Sequence, residues 1–361
     1  MTPNHSKHGS SSISHNPYAD VNWTETTHCL SQFHLHEPRN QIDPHSASHD
    51  PPAENFTTTT ERSTPSELID KYQHAGYGSL AITEHEYYVD GTKHKGEPFF
   101  EELEETSWPW SRWDRDRSPN EMIPIQGAEL RGTIDGIDGL HDIVNLGTDL
   151  GHGRERSLLK VATDIVMRGG VSFLPHPGKY VDPDSIELYV TMFQQVDSLI
   201  GIEVFNAHDR YPSSRAIWDV LLTELGSKRP VWAVANDDYH ARPRPAGSER
   251  FDQSRTVLLL ETRSPSNVIE ALQQGHSYVQ YNDTGVAPKI ESVSVDDELV
   301  RIEAPSASTV TWISAGEAVD TGTEITVSDV PNQYVRAEAT GRDGAVSCTQ
   351  PLYIEQTAST F

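Results

Sequence analysis

The sequence predicts a mixed α/β fold, with a parallel sheet closed into a barrel, followed by a small all-β unit. From Thr64 to Tyr281, helical segments alternate with short apolar strands, and from Lys289 onward short strand segments follow one another without a helix. Alternating helices and buried strands imply a parallel sheet, and this many units favours closure into a barrel. We therefore divide the chain into a flexible tail (1–22), a barrel (23–284) and a β-sandwich of immunoglobulin-like kind (285–361).

The N-terminal part carries few periodic signals. Residues up to about Ala19 are rich in Ser, His and Asn, which is typical of a flexible tail. Gln32 to His36 form a short strand pattern. The irregular stretch from Glu37 to Ser63 that follows predicts a long loop or insertion.

The helices of the barrel carry local start and stop signals. Thr64 can cap the first helix, with Pro65 in its first turn, and Gly76 ends it. Most of the strands follow a helix as short apolar runs. The predicted helices are about 64–75, 157–168, 184–198, 214–225 and 265–274, and the strands about 79–83, 122–128, 142–146, 171–174, 201–206, 231–235, 256–260 and 277–281.

The character of the sequence changes near Asp283 to Pro288. Beyond this turn-rich segment the predicted strands are about 291–295, 299–303, 310–313, 324–327, 334–339 and 350–355. Because the boundary is turn-rich and the unit has its own alternating pattern, we expect deletion from Lys289 to leave a folded barrel.

Acidic residues dominate the composition, with 54 Asp and Glu against 28 Lys and Arg and a formal net charge of -26. Such a charge repels nucleic-acid phosphates and anionic membranes, so neither is expected as a partner. Acid spread along the whole chain is typical of a protein kept soluble in very high salt, so we expect a halophilic source.

The two cysteines, Cys29 and Cys348, lie at opposite ends of the chain, so neither a disulfide framework nor a thiolate zinc site is expected. This usage fits a reducing compartment. The sequence shows no apolar core of signal-peptide length and no stretch approaching the roughly 20 apolar residues of a membrane span. We therefore expect a cytoplasmic protein.

Histidines and carboxylates lie next to the predicted strands. His34 and His36 are two apart on one strand, so both side chains leave the same face and can bind one cation. Side chains that follow parallel barrel strands gather at the C-terminal mouth, where barrel active sites lie. Mixed imidazole and carboxylate ligands suit zinc, manganese or iron. The further candidates are His85, Glu129, His141, His176, Asp238 and His240, more ligands than one cation needs.

Six motifs, FHLH, AITEHE, GAE, LPHPG, GIEVFN and NDDYH, occur in this order along the chain. Over residues 23–283 this set resembles the PHP superfamily, the polymerase and histidinol phosphatase group. The resemblance implies a distorted (β/α)7 barrel that binds two or three divalent cations. The implied ligand sets are His34, His36, Glu129 and Asp238 for one cation, Glu129, His141 and His176 for a second, and His85 and His240 for a third.

The resemblance also implies a ligand soon after the His-x-His pair. Asp43 or His45 can fill this slot, and we prefer Asp43. Family members usually have Asp where this chain has Glu84. We interpret Glu84 as a residue that sets the hydrogen bonding of a neighbouring ligand rather than as a ligand itself.

The motifs also suggest substrate contacts. Lys179 and Arg131 closely follow candidate ligands and can bind a phosphate, although surface charge is an equal alternative. Asn206 and Glu203 end a buried strand, where satisfying the loop backbone is as plausible as contacting substrate. We therefore assign catalytic roles to Glu129, Asp238 and His176, and substrate-binding roles to Lys179, Arg131, Asn206 and His208.

These features predict a metal-dependent phosphoesterase that hydrolyses a small phosphomonoester or phosphodiester. In such a site a water that bridges two cations becomes hydroxide and attacks phosphorus, while the cations absorb the developing charge. Two alternatives stay open. One is an amidohydrolase or carboxylesterase on the same cations, and the other is a non-catalytic, metal-stabilised binding module whose sandwich recognises a sugar or a protein.

Overall fold

The computed structural model describes most of the predicted elements. The described residues are 11–36, 65–85, 108, 122–134, 137–151, 153, 156–240, 251–283 and 285–356. Asp43 and His45, the two candidates for the ligand slot after the His-x-His pair, lie outside them. Across the described part of the chain, no helix is long and apolar enough to cross a membrane.

The α-helices are α1 (Pro65–His74), α2 (Leu158–Met167), α3 (Glu187–Gln195), α4 (Ser213–Leu225) and α5 (Pro265–Gln274). They lie close to the predicted ranges because local signals set their ends. The side chains of Ser157 and Ser264 accept backbone N–H bonds at the starts of α2 and α5. Gly275, with a φ of 71°, ends α5 in the left-handed conformation that glycine favours.

The strands up to Tyr281 are β1 (Ser11–His15), β2 (Thr27–Gln32), β3 (Leu35–His36), β4 (Ser79–Leu80), β5 (Ile123–Pro124), β6 (Gly127–Ile134), β7 (Ile137–Leu146), β8 (Val171–Leu174), β9 (Leu199–Asn206), β10 (Trp232–Asn236), β11 (Tyr239–His240), β12 (Ser254–Leu260) and β13 (Ser277–Tyr281). One sheet has the order β10-β9-β8-β7-β6, and its first three strands are parallel. β2, β4 and β5 are also parallel neighbours, and β3 pairs with β11. The predicted mixed α/β fold is confirmed.

A closed (β/α)7 barrel is not confirmed. The described strands form four separate sheets rather than one ring. Several neighbours are antiparallel, among them β6 with β7, β7 with β8 and β12 with β2. β6 and β7 form a hairpin with no helix between them, which is one reason why the fold departs from the alternating pattern that the sequence predicted.

The remaining strands are β14 (Ser292–Asp296), β15 (Leu299–Glu303), β16 (Thr309–Ser314), β17 (Glu317–Thr321), β18 (Glu324–Thr326), β19 (Tyr334–Thr340), β20 (Val346–Thr349) and β21 (Leu352–Gln356). β14, β15 and β18 form a three-stranded sheet, and the others join a larger one. Val300 and Ile302 from the small sheet share a core with Trp312, Val335 and Leu352 from the large one. The C-terminal unit is therefore all-β with two packed sheets, as predicted.

The C-terminal unit is hydrogen-bonded to the rest of the chain. β13 pairs with β20, so the largest sheet runs through both units without a break. β1 pairs with β21, and Ser11–His15 is therefore a strand. The prediction of a flexible tail over residues 1–22 is therefore wrong for Ser11–His15, and residues 1–10 lie outside the described part of the chain. The expectation that the barrel folds without the C-terminal unit is at odds with the shared sheet.

The main hydrophobic core lies between the five-stranded sheet and the helices that cover it. Phe173 and Ile202 from the strands pack with Val161 and Leu221 from α2 and α4. β9 and β10 approach closely at Gly201, where an added Cβ would lie 1.9 Å from the carbonyl oxygen of Trp232. This core fixes the ends of the parallel strands, where the candidate ligands follow.

Candidate metal centre

His34 and His36 lie side by side in the interior, although only His36 belongs to β3 and the predicted common strand does not include His34. Both imidazoles are fully buried, and their ring centroids are 5.2 Å apart. β3 pairs with β11 so that His36 stands beside His240, and these two rings stack at a centroid distance of 4.3 Å. The pairing of two short strands thus brings together histidines that are about 200 residues apart in the sequence.

Glu129 occupies the centre of the cluster. It is buried in β6, and its backbone forms a parallel bridge with His85. Its Oε1 lies 3.5 Å from Nε2 of His34 and 3.3 Å from Nε2 of His176. Its Oε2 lies 3.5 Å from Nε2 of His36 and 2.6 Å from Nδ1 of His85. One carboxylate therefore faces four imidazoles, an arrangement suited to bridging two cations.

Asp238 closes the cluster from the side of β10. Its Oδ1 lies 3.4 Å from Nε2 of His34, 3.3 Å from Nε2 of His36 and 3.4 Å from Nδ1 of His240. Three groups of side chains have ligand atoms within 4.8 Å of one another: His34, His36 and Asp238; His34, Glu129 and His176; and His36, His85 and His240. These groups include every described ligand that the motifs predicted except His141.

Several ligand atoms in the cluster are shielded from solvent and have no hydrogen-bond partner among the described residues. They are Nε2 of His34, Nε2 of His36, Nδ1 of His85 and Oε2 of Glu129. The last two are close together but lack hydrogen-bond geometry. Because buried polar atoms nearly always have a partner, a cation between these atoms would resolve the discrepancy. The residues present therefore fit the divalent cations that the motifs imply, with donors suited to zinc, manganese or iron.

Two of the candidate ligands have an unusual backbone. His176 and Asp238 have φ values of 32° and 45°, in the left-handed region that non-glycine residues seldom adopt. Each lies two residues beyond the end of a parallel strand, β8 for His176 and β10 for Asp238. Such backbone strain persists where the surroundings hold it in place, and it concentrates at functional sites.

Burial and neighbouring charges shift the pKa values in the cluster. Burial opposes protonation of His34, but the surrounding carboxylates, Asp238 foremost, outweigh it and raise its pKa well above the ordinary value. Burial and two neighbouring imidazoles hold the pKa of His36 well below that value. Burial alone would raise the pKa of Glu129 and Asp238, but the imidazoles around them lower it well below the usual range. Both carboxylates are therefore ionised.

His141 is not brought into the cluster. In the hairpin of β6 and β7, Arg131 stands opposite Asp142, and Gly132 stands opposite His141. Opposed residues share a face and successive residues alternate, so Asp142 lies on the face of Glu129 and His141 on the other face. The structure therefore separates His141 from the ligands that the family resemblance assigns to the second cation.

Asp142 is a charged neighbour of the cluster that the sequence analysis missed. Its Oδ2 lies 3.8 Å from Nε2 of His176 and 3.1 Å from Nζ of Lys179. Its Oδ1 accepts a hydrogen bond from Nε of Arg131 at 2.9 Å, and its Oδ2 accepts one from the hydroxyl of Tyr180. The alternation of side chains along the two strands of the hairpin was the signal that could have identified Asp142. The carboxylate of Asp142 thus holds the side chains of Lys179 and Arg131, the two residues predicted to bind phosphate, beside His176.

The remaining predicted positions surround the cluster. Asn206 ends β9, and its Nδ2 donates to Oδ2 of Asp238 at 3.4 Å. His208 is half-buried in the turn after β9 and belongs to none of the three ligand groups. Oε1 of Glu84 lies 3.3 Å from Nδ1 of His36, whose Nε2 faces Glu129. This placement fits the interpretation of Glu84 as a neighbour of a ligand.

Comparisons with known proteins give a likeness in structure only. No family model matches the sequence, and no curated protein matches it. The fold is similar to that of a two-domain protein from Bacteroides vulgatus that contains a predicted PHP-like metal-dependent phosphoesterase. That likeness has a TM-score of 0.51 at 15% identity and covers 94% of this chain and 98% of the other. It confirms, at the level of the fold, the resemblance that the motifs indicated.

Two further likenesses are too low in TM-score to support an argument. A candidate metal-dependent phosphoesterase from Bifidobacterium adolescentis matches at a TM-score of 0.39 and 12% identity, over 68% of this chain and 96% of the other. An amidohydrolase from Chromobacterium violaceum, with bound sulfate and no metal, matches at a TM-score of 0.37 and 15% identity. This match covers 58% of this chain and 91% of the other.

Proposed function

We propose that this protein is a metal-dependent phosphoesterase that hydrolyses a small phosphomonoester or phosphodiester. The observation that carries the proposal is the convergence of buried, unpartnered ligand atoms from His34, His36 and His85 on the carboxylate of Glu129. A purely structural cluster would satisfy these atoms by hydrogen bonds. We also infer that the separate sheets are parts of a distorted PHP-type barrel, which the likeness in fold supports.

When bound, the two or three divalent cations would lower the pKa of a water and stabilise the negative charge that develops during hydrolysis. His34, His36 and Asp238 would hold one cation, and Glu129 would connect it to a second beside His176. His85 and His240, with His36 between them, would hold a third. No side-chain nucleophile is needed in this arrangement.

The charges beside His176 favour a phosphoester over an amide. Lys179 and Arg131 bring two positively charged groups to this side of the cluster, where both contact Asp142. Burial opposes the charge of the Lys179 ammonium, but Asp142 outweighs it and raises the pKa of Lys179 above its ordinary value. Lys179 therefore remains a cation that can bind an anionic substrate. A neutral amide or ester would gain less from this ammonium group than an anionic phosphoester.

A substrate panel tests the proposal. Protein stripped of metal and reloaded with zinc, manganese or iron is assayed on p-nitrophenyl phosphate, bis-p-nitrophenyl phosphate, p-nitrophenyl acetate and a p-nitroanilide. We expect phosphoester turnover that disappears in His34→Ala and persists in His74→Ala, because His74 is an exposed histidine of α1 outside the cluster. Turnover of the acetate or the anilide alone would support the amidohydrolase or carboxylesterase alternative. A metal-loaded protein inert on every substrate would support the binding module.

A further inference from the structure

Glu203 is a carboxylate in β9 with no exposed surface. It lies behind the metal cluster and belongs to none of the three ligand groups among the described residues. Because it is shielded completely, the substrate contact considered from the sequence is excluded. A buried carboxylate must be compensated by hydrogen bonds or by opposite charge, so its partners define what it does.

Four donors converge on the two oxygens of Glu203. Oε1 accepts from Nδ1 of His34 at 3.2 Å and from Nδ2 of Asn236 at 3.0 Å. Oε2 accepts from the backbone N–H of His176 at 2.9 Å and from Nδ2 of Asn206 at 2.8 Å. One side chain therefore connects the segment before β3 with the ends of β8, β9 and β10.

The surroundings fix the orientation of both amides. Oδ1 of Asn236 accepts the backbone N–H of Phe33 at 2.8 Å, so its NH₂ group must face Glu203. The NH₂ group of Asn206 lies between the carboxylates of Glu203 and Asp238, and the reverse orientation would set its oxygen against both. All four partners are donors, and only a side chain with two acceptor oxygens satisfies them.

We propose that Glu203 positions two metal ligands at once. A proton on Nδ1 of His34, held by Glu203, leaves the lone pair of Nε2 directed at Glu129 and Asp238, where a cation would bind. The bond to the backbone N–H holds His176 in its left-handed conformation. This inference rests on the proposed function, because it gives Glu203 a role only if the cluster binds metal.

The effect is confined to part of the centre. His34 belongs to two of the three ligand groups and His176 to one of these two. The group of His36, His85 and His240 contains neither residue. Loss of Glu203 should therefore weaken the first two positions and leave the third unchanged.

The test is Glu203→Gln in the full chain, stripped of metal and titrated with zinc against a chromophoric chelator. Gln has the same shape but offers one acceptor oxygen and sets an NH₂ group against two donors. We expect zinc affinity at two positions to fall about 10- to 100-fold, as for other residues that orient metal ligands. The matched control is Asp219→Asn, a buried carboxylate that pairs with Arg336 away from the cluster. Its folded form should bind zinc like the wild type.

Combined substitutions separate positioning from a general loss of stability. If Glu203 acts through His34, the effects of Glu203→Gln and His34→Ala on zinc affinity should be less than additive. The effects of Glu203→Gln and His240→Ala should add. Additive effects in both pairs, or wild-type zinc affinity in folded Glu203→Gln, would overturn the proposal.

A measurement on the wild-type protein tests the proposal without relying on the folding of Glu203→Gln. Nitrogen-15 NMR of the histidine rings, with the His34 signals assigned by their loss in His34→Ala, should show a proton on Nδ1 and zinc-dependent changes at Nε2. A proton on Nε2 in the zinc-loaded protein would overturn the inference and leave the metal centre intact. If the wild type binds no divalent cation, the proposed function itself fails.

Discussion

Replacing Asp219 by Asn tests whether the C-terminal unit and the preceding α/β unit unfold together. Asp219 lies in α4, and its Oδ1 and Oδ2 accept hydrogen bonds from Nε and Nη2 of Arg336 in β19, both at 2.9 Å. The hydroxyl of Tyr334 donates to Oδ1 at 2.7 Å. The Asp219 and Arg336 side chains are 8% and 3% exposed, so solvent cannot replace these bonds.

The expected loss follows from what the substitution leaves behind. Asn keeps one acceptor oxygen but sets an NH₂ group against the guanidinium of Arg336, which remains charged in the interior. Breaking a buried pair by removing one partner typically costs 3–5 kcal/mol. Arg336 keeps its contact with Glu338 at 2.5 Å, so we place the loss at the lower end, about 3 kcal/mol.

Urea unfolding of the full chain, followed by tryptophan fluorescence and by far-ultraviolet circular dichroism, measures this loss. We expect both signals to shift together to lower urea, because one sheet runs through both units. Glu324→Gln is the control, since Glu324 pairs with Arg301 at the surface and its removal should leave the curve unchanged. A shift below about 1 kcal/mol for Asp219→Asn, or one confined to a single signal, would refute the reasoning.

Three further predictions follow from the same structure. Deleting the chain from Lys289 removes β20 and β21, the partners of β13 and β1, so we expect an insoluble or unfolded product; a cooperatively unfolding barrel with bound metal would contradict the shared sheet. His141→Phe should keep the wild-type metal content by elemental analysis, because His141 lies on the far face of β7; a loss of one cation per chain would support the family-based assignment instead. With a net charge of -26, the melting temperature should climb steeply between dilute and molar potassium chloride, as the Debye length falls from about 10 Å to about 3 Å; a flat profile would count against the halophilic interpretation.

Local signals account for the parts of the fold that the sequence predicted well. α5 spans the predicted residues because Ser264 caps its start and Gly275 ends it, and both residues are direct neighbours of the helix in the sequence. The two histidines of the His-x-His pair lie close together, as the sequence predicted, although His34 precedes β3 and only His36 belongs to that strand.

The errors arose where the outcome depends on distant partners. Ser11–His15 forms a strand because β21 pairs with it, and nothing in the composition of those five residues shows that partner. His141 and Asp142 differ by one position, and the register of β6 against β7 decides which of them faces Glu129. The proposed role of Glu203 likewise depends on four donors that come from distant parts of the sequence.

The central claim is that the buried cluster around Glu129 is a catalytic divalent metal centre. The most direct measurement adds a divalent cation stepwise to metal-stripped protein and records bound metal and p-nitrophenyl phosphate turnover in the same samples. Turnover should be absent at the start, rise with bound metal and level off at two or three cations per chain, and His34→Ala should show neither the full stoichiometry nor the activity. Turnover that is independent of bound metal, or full turnover and metal content in His34→Ala, would contradict the claim.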